Sequence, residues 1–360
     1  MRVCGEIQPT ALASARLSPR FSSAFLRICQ PPRFVDTRAG IWQILKSKPD
    51  NRPNAIGRGR EDRKMAETKI TFQSGAFKLA GTVRVPDGVK PGERRPAFIV
   101  MHGFGSNSSS SNVLEPCKMF EDLGYVTLRI DMPGCGESEG PRGNLICLEQ
   151  VQAASDALTF LAKNPNVEPN RIGMIGSSFG AAIAVYVCGV DKRVAAAISS
   201  GGWGDGERKF RGQHPGEAAW KKFSDMLAEG KRHREKTGKS LMVPRYDIVP
   251  IPQHLRGHLA PNSILEFTAE TAQSMYDFRA DDVIGNAKGR PILLLHSSVD
   301  SVTPTEQSIE MFKRASQPCD LHLFAETDHF MFAESNARVR SVIYDWLEKY
   351  LPVTARAVAA

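Results

Sequence analysis

From residue 68 onwards, the chain alternates between short apolar segments typical of strands and longer segments with helical spacing. Residues 97–101 and 126–130 are apolar runs that end in turn residues, whereas residues 148–161 place apolar side chains every three to four positions. Parallel strands need crossover connections, which helices usually supply. The pattern therefore predicts an α/β fold, a mostly parallel sheet with helices on both faces. The other predicted strands are residues 69–73, 77–85, 171–175, 194–199, 291–296 and 321–324, and the other predicted helices are residues 112–123, 179–188, 306–314 and 337–350.

Residues 200–285 interrupt this alternation, and we interpret them as an inserted, largely helical cap. A basic run at residues 231–239 fits a solvated helix face. Residues 66–199 and 286–352 then form the core, followed by a tail at 353–360. The segment contains eight large aromatic residues: Trp203, Phe210, Trp220, Phe223, Tyr246, Phe267, Tyr276 and Phe278. These rings could line an apolar substrate pocket, but we expect most of them in the cap's own core.

The net charge of +8 comes from one end of the chain. Residues 1–65 hold 13 Lys and Arg against 5 Asp and Glu, whereas the other 295 residues hold 34 of each. A neutral body without a basic and aromatic motif argues against a nucleic-acid partner. No apolar run reaches the roughly 18–20 residues that a membrane span needs.

Residues 1–65 are expected to form a basic, disordered extension. The Arg-rich, acid-poor composition of residues 1–35 resembles a mitochondrial transit peptide, although four prolines interrupt any long helix. A translation start at Met65 is an equally good interpretation. The seven cysteines include no C-x-x-C pair, which predicts neither a disulfide framework nor a zinc site. We expect a cytoplasmic protein, or a mitochondrial one if residues 1–35 are a transit peptide.

The segment Gly176-Ser177-Ser178-Phe179-Gly180 matches the G-x-S-x-G pattern. It lies between a predicted strand and a predicted helix, the setting that raises a nucleophilic serine above a sheet edge. The turn is tight, so small residues are needed two positions before and after the serine. The pattern predicts Ser178 as a nucleophile. The alternative is a buried helix start that Ser178 caps.

A serine nucleophile needs a base, which a carboxylate orients. In the order Ser, Asp, His, the candidates are Asp300, after predicted strand 291–296, and His329, after the last predicted strand. Asp328 is the alternative acid, but a side chain cannot easily reach round to the imidazole of its neighbour, so we expect a loop role. His296 and His322 are interpreted as packed core histidines.

An oxyanion hole is the fourth predicted feature. A His-Gly-Phe turn at residues 102–104 follows the strand 97–101. Its geometry would direct the backbone N–H of Phe104 towards the substrate of Ser178, and the N–H of Phe179 would supply a second donor. His102 itself is expected to be structural.

These motifs resemble the α/β-hydrolase superfamily of serine hydrolases over residues 68–351. Residues 131–138 (DMPGCGES) are similar to a structural turn of that family. The resemblance implies an eight-stranded, mostly parallel sheet, with Ser178 as nucleophile, Asp300 as acid and His329 as base. The dienelactone-hydrolase, cinnamoyl-esterase and Xaa-Pro-peptidase branches look most similar, although Ala181 stands where these branches often have glycine. Ser178, where dienelactone hydrolases have cysteine, argues against their reaction.

The predicted function is hydrolysis of a small-molecule carboxylic ester through an acyl-enzyme, without a metal or organic cofactor. One alternative is an amide or peptide hydrolase of the prolyl-peptidase type, in which Glu266 and Glu270 on one helix face would bind an amino terminus. Another is hydrolysis of C–C bonds in aromatic breakdown products. A non-catalytic binding protein on the same fold is disfavoured by the complete set of motifs. Both a monomer and a homo-oligomer remain open.

Overall fold

The computed structural model describes residues 67–90, 92–333 and 336–354. Ten strands lie in this part of the chain: β1 Glu67–Ser74, β2 Phe77–Arg84, β3 Arg95–Met101, β4 Val126–Ile130, β5 Val167–Ser177, β6 Val194–Ser200, β7 Met242–Pro244, β8 Glu266–Thr268, β9 Ile292–Ser297 and β10 Cys319–Phe324. Eight of them form one sheet in the order β1-β2-β4-β3-β5-β6-β9-β10. Strand β2 is antiparallel to both of its neighbours, and the other pairs are parallel. The predicted α/β fold with a mostly parallel sheet is confirmed.

Helices cover both faces of this sheet. The α-helices of the described residues are α1 Ser111–Asp122, α2 Cys147–Leu161, α3 Phe179–Val190, α4 Gly206–Gln213, α5 Glu217–Thr237, α6 Arg245–Ile248, α7 Ala269–Asp277, α8 Glu306–Arg314 and α9 Ala337–Tyr350. Successive side chains of a strand point to opposite faces. Accordingly, Ile99 of β3 packs in one core cluster with Ile183 of α3, whereas Phe98 packs in the other with Phe120 of α1 and Ile343 of α9.

Residues 201–291, which we call the β6–β9 connection, contain α4 to α7, three short 3₁₀ helices and the antiparallel pair β7–β8. The segment was predicted to be largely helical, and the strand pair was not predicted. Its rings pack on one another and on the sheet domain: Phe210 stacks on Phe223 with ring centroids 4.5 Å apart, and Phe278 stacks on Tyr186 of α3 at 4.7 Å. Five of its eight large aromatic residues are buried, namely Trp203, Phe210, Phe223, Phe267 and Phe278.

The predictions for residues 1–65 fall outside the described residues, as do those for the tail from residue 355. Within the described residues, no helix combines the length and the apolar character that a membrane crossing requires.

Candidate active site

Ser178 lies between the end of β5 and the start of α3, with φ +54° and ψ −110°. A non-glycine residue at positive φ is strained, and such residues cluster at functional sites. The flanking glycines are required by close packing. A Cβ on Gly176 would overlap the carbonyl carbon of Gly180, and a Cβ on Gly180 would lie 2.6 Å from the carbonyl oxygen of His102. The two glycines of the motif thus let β5, α3 and the His102 turn meet closely at Ser178.

His329 and Asp300 are in direct contact. His329 Nδ1 lies 2.8 Å from Asp300 Oδ2, and both side chains are almost completely buried. Gly201 supplies the space for this pair: its φ is +64°, and a Cβ there would lie 3.2 Å from the His329 ring. His329 and Ser178 line the same cavity. The structure thus brings together Ser178, Asp300 and His329, the three residues that were predicted to follow one another along the chain as nucleophile, acid and base.

The Asp300 carboxylate is held on both of its oxygens. Oδ1 accepts hydrogen bonds from the backbone N–H groups of Val302 at 2.8 Å and Thr303 at 2.7 Å. Burial by itself favours the neutral acid, but the interactions with His329 and His296 outweigh it, so the pKa of Asp300 lies well below its usual range. Asp300 is therefore ionised at neutral pH and can accept a hydrogen bond from the His329 imidazole.

His296 is a site residue that the sequence interpretation missed. It was expected to be a packed core histidine, and it is indeed fully buried, but its Nε2 lies 3.2 Å from Asp300 Oδ2. The same nitrogen lies 3.0 Å from the Thr303 carbonyl oxygen, so it has to carry the hydrogen. Its Nδ1 lies 2.7 Å from Ser308 Oγ. The available signal was its position four residues before Asp300, at the end of a strand. His322, by contrast, is half-exposed on the edge strand β10, so its predicted core role is wrong.

Asp328, the alternative acid, makes a different set of contacts. Its Oδ1 accepts from the backbone N–H of Ser301 at 2.8 Å, and its Oδ2 accepts from Ser301 Oγ at 2.7 Å. It also accepts from the backbone N–H of His329. Asp328 therefore ties the loop after β10 to the loop that carries Asp300, as the predicted loop role requires.

The peptide that carries the Phe104 N–H is fixed through its carbonyl. Gly103 O accepts from His102 Nδ1 at 2.8 Å and from the Ser106 N–H at 3.1 Å, while His102 Nε2 accepts from the Met132 N–H at 3.1 Å. Burial lowers the pKa of His102, which therefore stays neutral in this tautomer. In a planar trans peptide the N–H points away from the carbonyl. Among the described residues, no hydrogen-bond acceptor faces the Phe104 N–H.

The second predicted donor, the Phe179 N–H, belongs to the first turn of α3, where N–H groups have no acceptor within the helix. The two segments that carry the predicted donors lie against each other, because a Cβ on Gly103 would be 3.6 Å from Ser178 Cβ.

The turn at residues 131–138 is joined to the loop that precedes α1. Asp131 accepts hydrogen bonds from the backbone N–H of Ser108 in that loop and from the backbone N–H of Glu137 in its own turn. Burial raises the pKa of the Cys135 thiol in that turn to about 12, so it is no nucleophile at neutral pH.

Ser178 and His329 line a small cavity under the β6–β9 connection. Its volume is about 30 Å³, which is room for about one water molecule. The walls are mostly aliphatic and hydroxyl groups, including Val249, Ile251 and Ser110. The eight aromatic residues proposed for a cap pocket do not line it; its two phenyl rings are those of Phe104 and Phe330. An ester can enter only if side chains of this wall move.

The two glutamates considered for an amino-terminus site are placed away from the cavity. Glu266 and Glu270 do not share a helix face, because Glu266 lies in β8 and Glu270 in α7, and neither lines the cavity. His254 and His258 lie in the 3₁₀ helix Gln253–His258, and the His258 ring packs against Phe330 in the wall of the cavity. Among the described residues, no group of three or more His, Cys, Asp or Glu side chains could hold a metal ion.

Comparison with known proteins identifies the family. Residues 92–336 match the model of a family described as serine aminopeptidase, S33. The match extends from just before β3 to the start of α9, so it contains all three predicted triad residues.

Individual relatives cover most of the same region. An uncharacterized 31.7 kDa protein encoded in the traX–finO intergenic region of Escherichia coli is 26% identical over 294 residues, which are 79% of this chain and 100% of that protein. A polyketide transferase of Penicillium crustosum is 26% identical over 234 residues, 59% of this chain and 73% of that protein. The crystal structure of a hypothetical protein from Pseudomonas aeruginosa matches with a TM-score of 0.68 and 23% identity, over 80% of this chain and 95% of that chain. This last likeness concerns the fold.

Proposed function

The chain belongs to the S33 serine aminopeptidase family of α/β hydrolases, and we propose that it hydrolyses a carboxylic ester through Ser178, His329 and Asp300. The observation that carries the proposal is the buried contact of His329 Nδ1 with the ionised Asp300, together with the cavity that His329 shares with a serine at positive φ. A histidine oriented in this way presents its other nitrogen to a substrate site as a base.

In the proposed mechanism, Ser178 Oγ attacks the ester carbonyl carbon while His329 Nε2 takes its proton. The carbonyl oxygen becomes an oxyanion, which accepts hydrogen bonds from the N–H groups of Phe104 and Phe179. His329 then donates the proton to the leaving alkoxide, so an alcohol departs and an acyl-enzyme remains. Water attacks this ester with His329 again as base, releasing the acid and regenerating Ser178.

The first experiment tests whether Ser178 is the nucleophile. We expect a fluorophosphonate probe to label the wild type and to leave Ser178→Ala unlabelled. Ser177→Ala is the matched control, since it removes the neighbouring hydroxyl, which contacts the Asn112 carbonyl and not His329. Labelling should persist in Ser177→Ala. Equal labelling of wild type and Ser178→Ala would overturn the proposal.

The second experiment tests the bond that is cleaved. p-Nitrophenyl esters, aminoacyl nitroanilides and a vinylogous diketone should be compared at equal concentration, with Ser178→Ala as the blank. We expect turnover of the esters alone. Faster release from nitroanilides would assign an amide hydrolase, and cleavage of the diketone would assign a C–C hydrolase. The separation of Glu266 from Glu270 leaves the amino-terminus site of the peptidase alternative without its proposed residues.

Acyl transfer to an acceptor other than water is the second candidate. The relative from Penicillium crustosum is named a polyketide transferase. The acyl-enzyme would then be resolved by an alcohol or amine, which could reach Ser178 only after side chains of the cavity wall move. Product analysis with and without added alcohols separates the two outcomes, because a transferase forms a new ester at the expense of the free acid.

A further inference from the structure

Arg245 is a buried cation in the wall of the proposed active site. It begins helix α6, is 3% exposed, and lines the cavity that contains Ser178 and His329. Its Nη2 donates to the Phe104 carbonyl oxygen at 2.6 Å and its Nη1 donates to the Ile264 carbonyl oxygen at 2.9 Å. Its Nε is buried without a hydrogen-bond partner.

The guanidinium of Arg245 lies over the rings of Phe104 and Phe267, 5.3 and 6.0 Å from their centroids, but no anion of the described residues pairs with it. No carboxylate lies within salt-bridge distance of it among the described residues, and the wall of the cavity includes no Asp or Glu. The half-buried Arg208, in contrast, pairs with Asp281 at 2.8 Å. Burial lowers the pKa of Arg245 to about 10, so it remains a cation at neutral pH. An unpaired buried charge is costly, and it recurs where a ligand supplies the opposite charge.

We propose that the substrate is an ester whose acyl chain ends in a carboxylate, which pairs with Arg245; this rests on the proposed ester hydrolysis. A planar carboxylate matches the planar guanidinium edge, and it is smaller than the phosphate and sulfonate groups that an organic substrate could carry into so narrow a cavity. The charge belongs on the acyl side because the alcohol leaves after the first step, whereas the acyl chain stays bound until water releases it. Half-esters of dicarboxylic acids are therefore the expected substrate class.

The test compares monoethyl esters of dicarboxylic acids with four to eight carbons against the corresponding diethyl esters. The ratio of kcat/KM for the half-ester to kcat/KM for the diester measures recognition of the charge. It cancels any damage to the hydrogen bond on Phe104, which affects both substrates alike. We expect the wild type to prefer the half-ester at least tenfold at its best chain length. Arg245→Met should reduce this ratio to about one or less, and Arg245→Lys should retain part of it.

Arg290→Met is the matched control, because Arg290 also donates to backbone carbonyl oxygens, those of Ala287 and Asp191, but lies outside the cavity. Its ratio should stay at the wild-type value. A wild type that hydrolyses diesters as well as or better than half-esters, or an unchanged ratio in Arg245→Met, would overturn the inference and leave ester hydrolysis standing. Failure to hydrolyse either ester would instead remove the proposed function itself.

Discussion

His296 Nε2 and Asp300 Oδ2 are 3.2 Å apart, and this carboxylate oxygen is the one that His329 Nδ1 also contacts, at 2.8 Å. Two imidazoles thus meet at one oxygen. Because His296 is anchored on Thr303 O and Ser308 Oγ, it restrains the Asp300 carboxylate. His296 is therefore a positioning residue for the proposed triad.

Replacing His296 should weaken catalysis through Asp300. In His296→Phe we expect kcat for an ester substrate to fall about tenfold with little change in KM, because a hydrogen bond to a charged group contributes about 1.5–3 kcal/mol and only part of it bears on the triad. Steady-state kinetics measure the effect. In an Asp300→Asn background the same replacement should have little further effect on kcat, since the group on which it acts is gone. Equal fold losses in both backgrounds would indicate a general structural role.

Asp300→Asn should nearly abolish activity and should also change the pH dependence of stability. We expect kcat to fall by about 10³–10⁴-fold, since the imidazole loses its orienting anion.

The folded-state pKa of Asp300 is lowered, so its ionised form stabilises the fold above its ordinary pKa of 3.8, and this stabilisation is lost as the pH falls towards the folded-state pKa. Urea unfolding at pH 7 and pH 3 measures this. The free-energy difference between wild type and variant should shrink at pH 3; a difference that grew would contradict the assignment.

The strain at Ser178 has a measurable consequence for stability. Glycine adopts positive φ without steric cost, whereas alanine does not. Ser178→Gly should therefore be more stable than Ser178→Ala by about 1 kcal/mol, although both are inactive. The same pair of substitutions at Ser177, which lies in β5, should have the opposite order. Thermal unfolding of the four variants checks both orders, and Ser178→Gly unfolding before Ser178→Ala would refute the strain.

Lys209 of α4 is a second buried cation, 1% exposed, with its Nζ over the rings of Trp203 and Phe210 and 2.9 Å from Gln213 Oε1. Burial lowers its pKa from 10.5 to about 7. Between these pH values the unfolded chain binds more protons than the folded one, so wild-type stability should rise with pH over this interval. Lys209→Met removes that rise, and it should stabilise the protein by about 1–4 kcal/mol below pH 7.

Denaturant unfolding at pH 6.5 and pH 9 tests this prediction. The advantage of Lys209→Met over wild type should be larger at pH 6.5. Lys221→Met is the control, because Lys221 is exposed and pairs with Asp225 on the surface of α5. Its effect should be under about 0.5 kcal/mol at both pH values. A Lys209→Met variant less stable than wild type at pH 6.5 would show that the rings and Gln213 compensate the charge.

Strands and helices of the sheet domain were predictable because their patterns are local. The predicted strand 126–130 and helices 306–314 and 337–350 agree with β4, α8 and α9 to the residue. The pair β7–β8 was missed because three-residue strands have too few positions to establish a period. Glu266 and Glu270 were placed on one helix for the same reason: a strand ends between them.

The residues of the candidate site were predictable where a sequence motif places them, and were missed where only tertiary packing brings a side chain to the site. Ser178, Asp300 and His329 follow from a local turn and from the order of the strands that precede them. The contact of Arg245 with Phe104 joins residues 141 positions apart, and no spacing rule reports it. His296 was assigned to the core because it lies in a predicted strand, and it is buried, but a place in a strand does not reveal that its partner is a carboxylate.

Two bonds fasten the β6–β9 connection to the turn that follows β3: Ile264 N–H donates to Gly105 O at 2.8 Å, and Arg245 donates to Phe104 O. The Phe267 ring adds a stack on Phe104, with centroids 4.1 Å apart. A displacement of this stretch of the connection would therefore release the two residues that follow Gly103, one of which carries the Phe104 N–H proposed as an oxyanion donor. If the connection moves aside to admit a ligand, these contacts break, and they must form again before the proposed reaction can occur. We therefore expect that a ligand too large for the contacts to form again would bind without reacting.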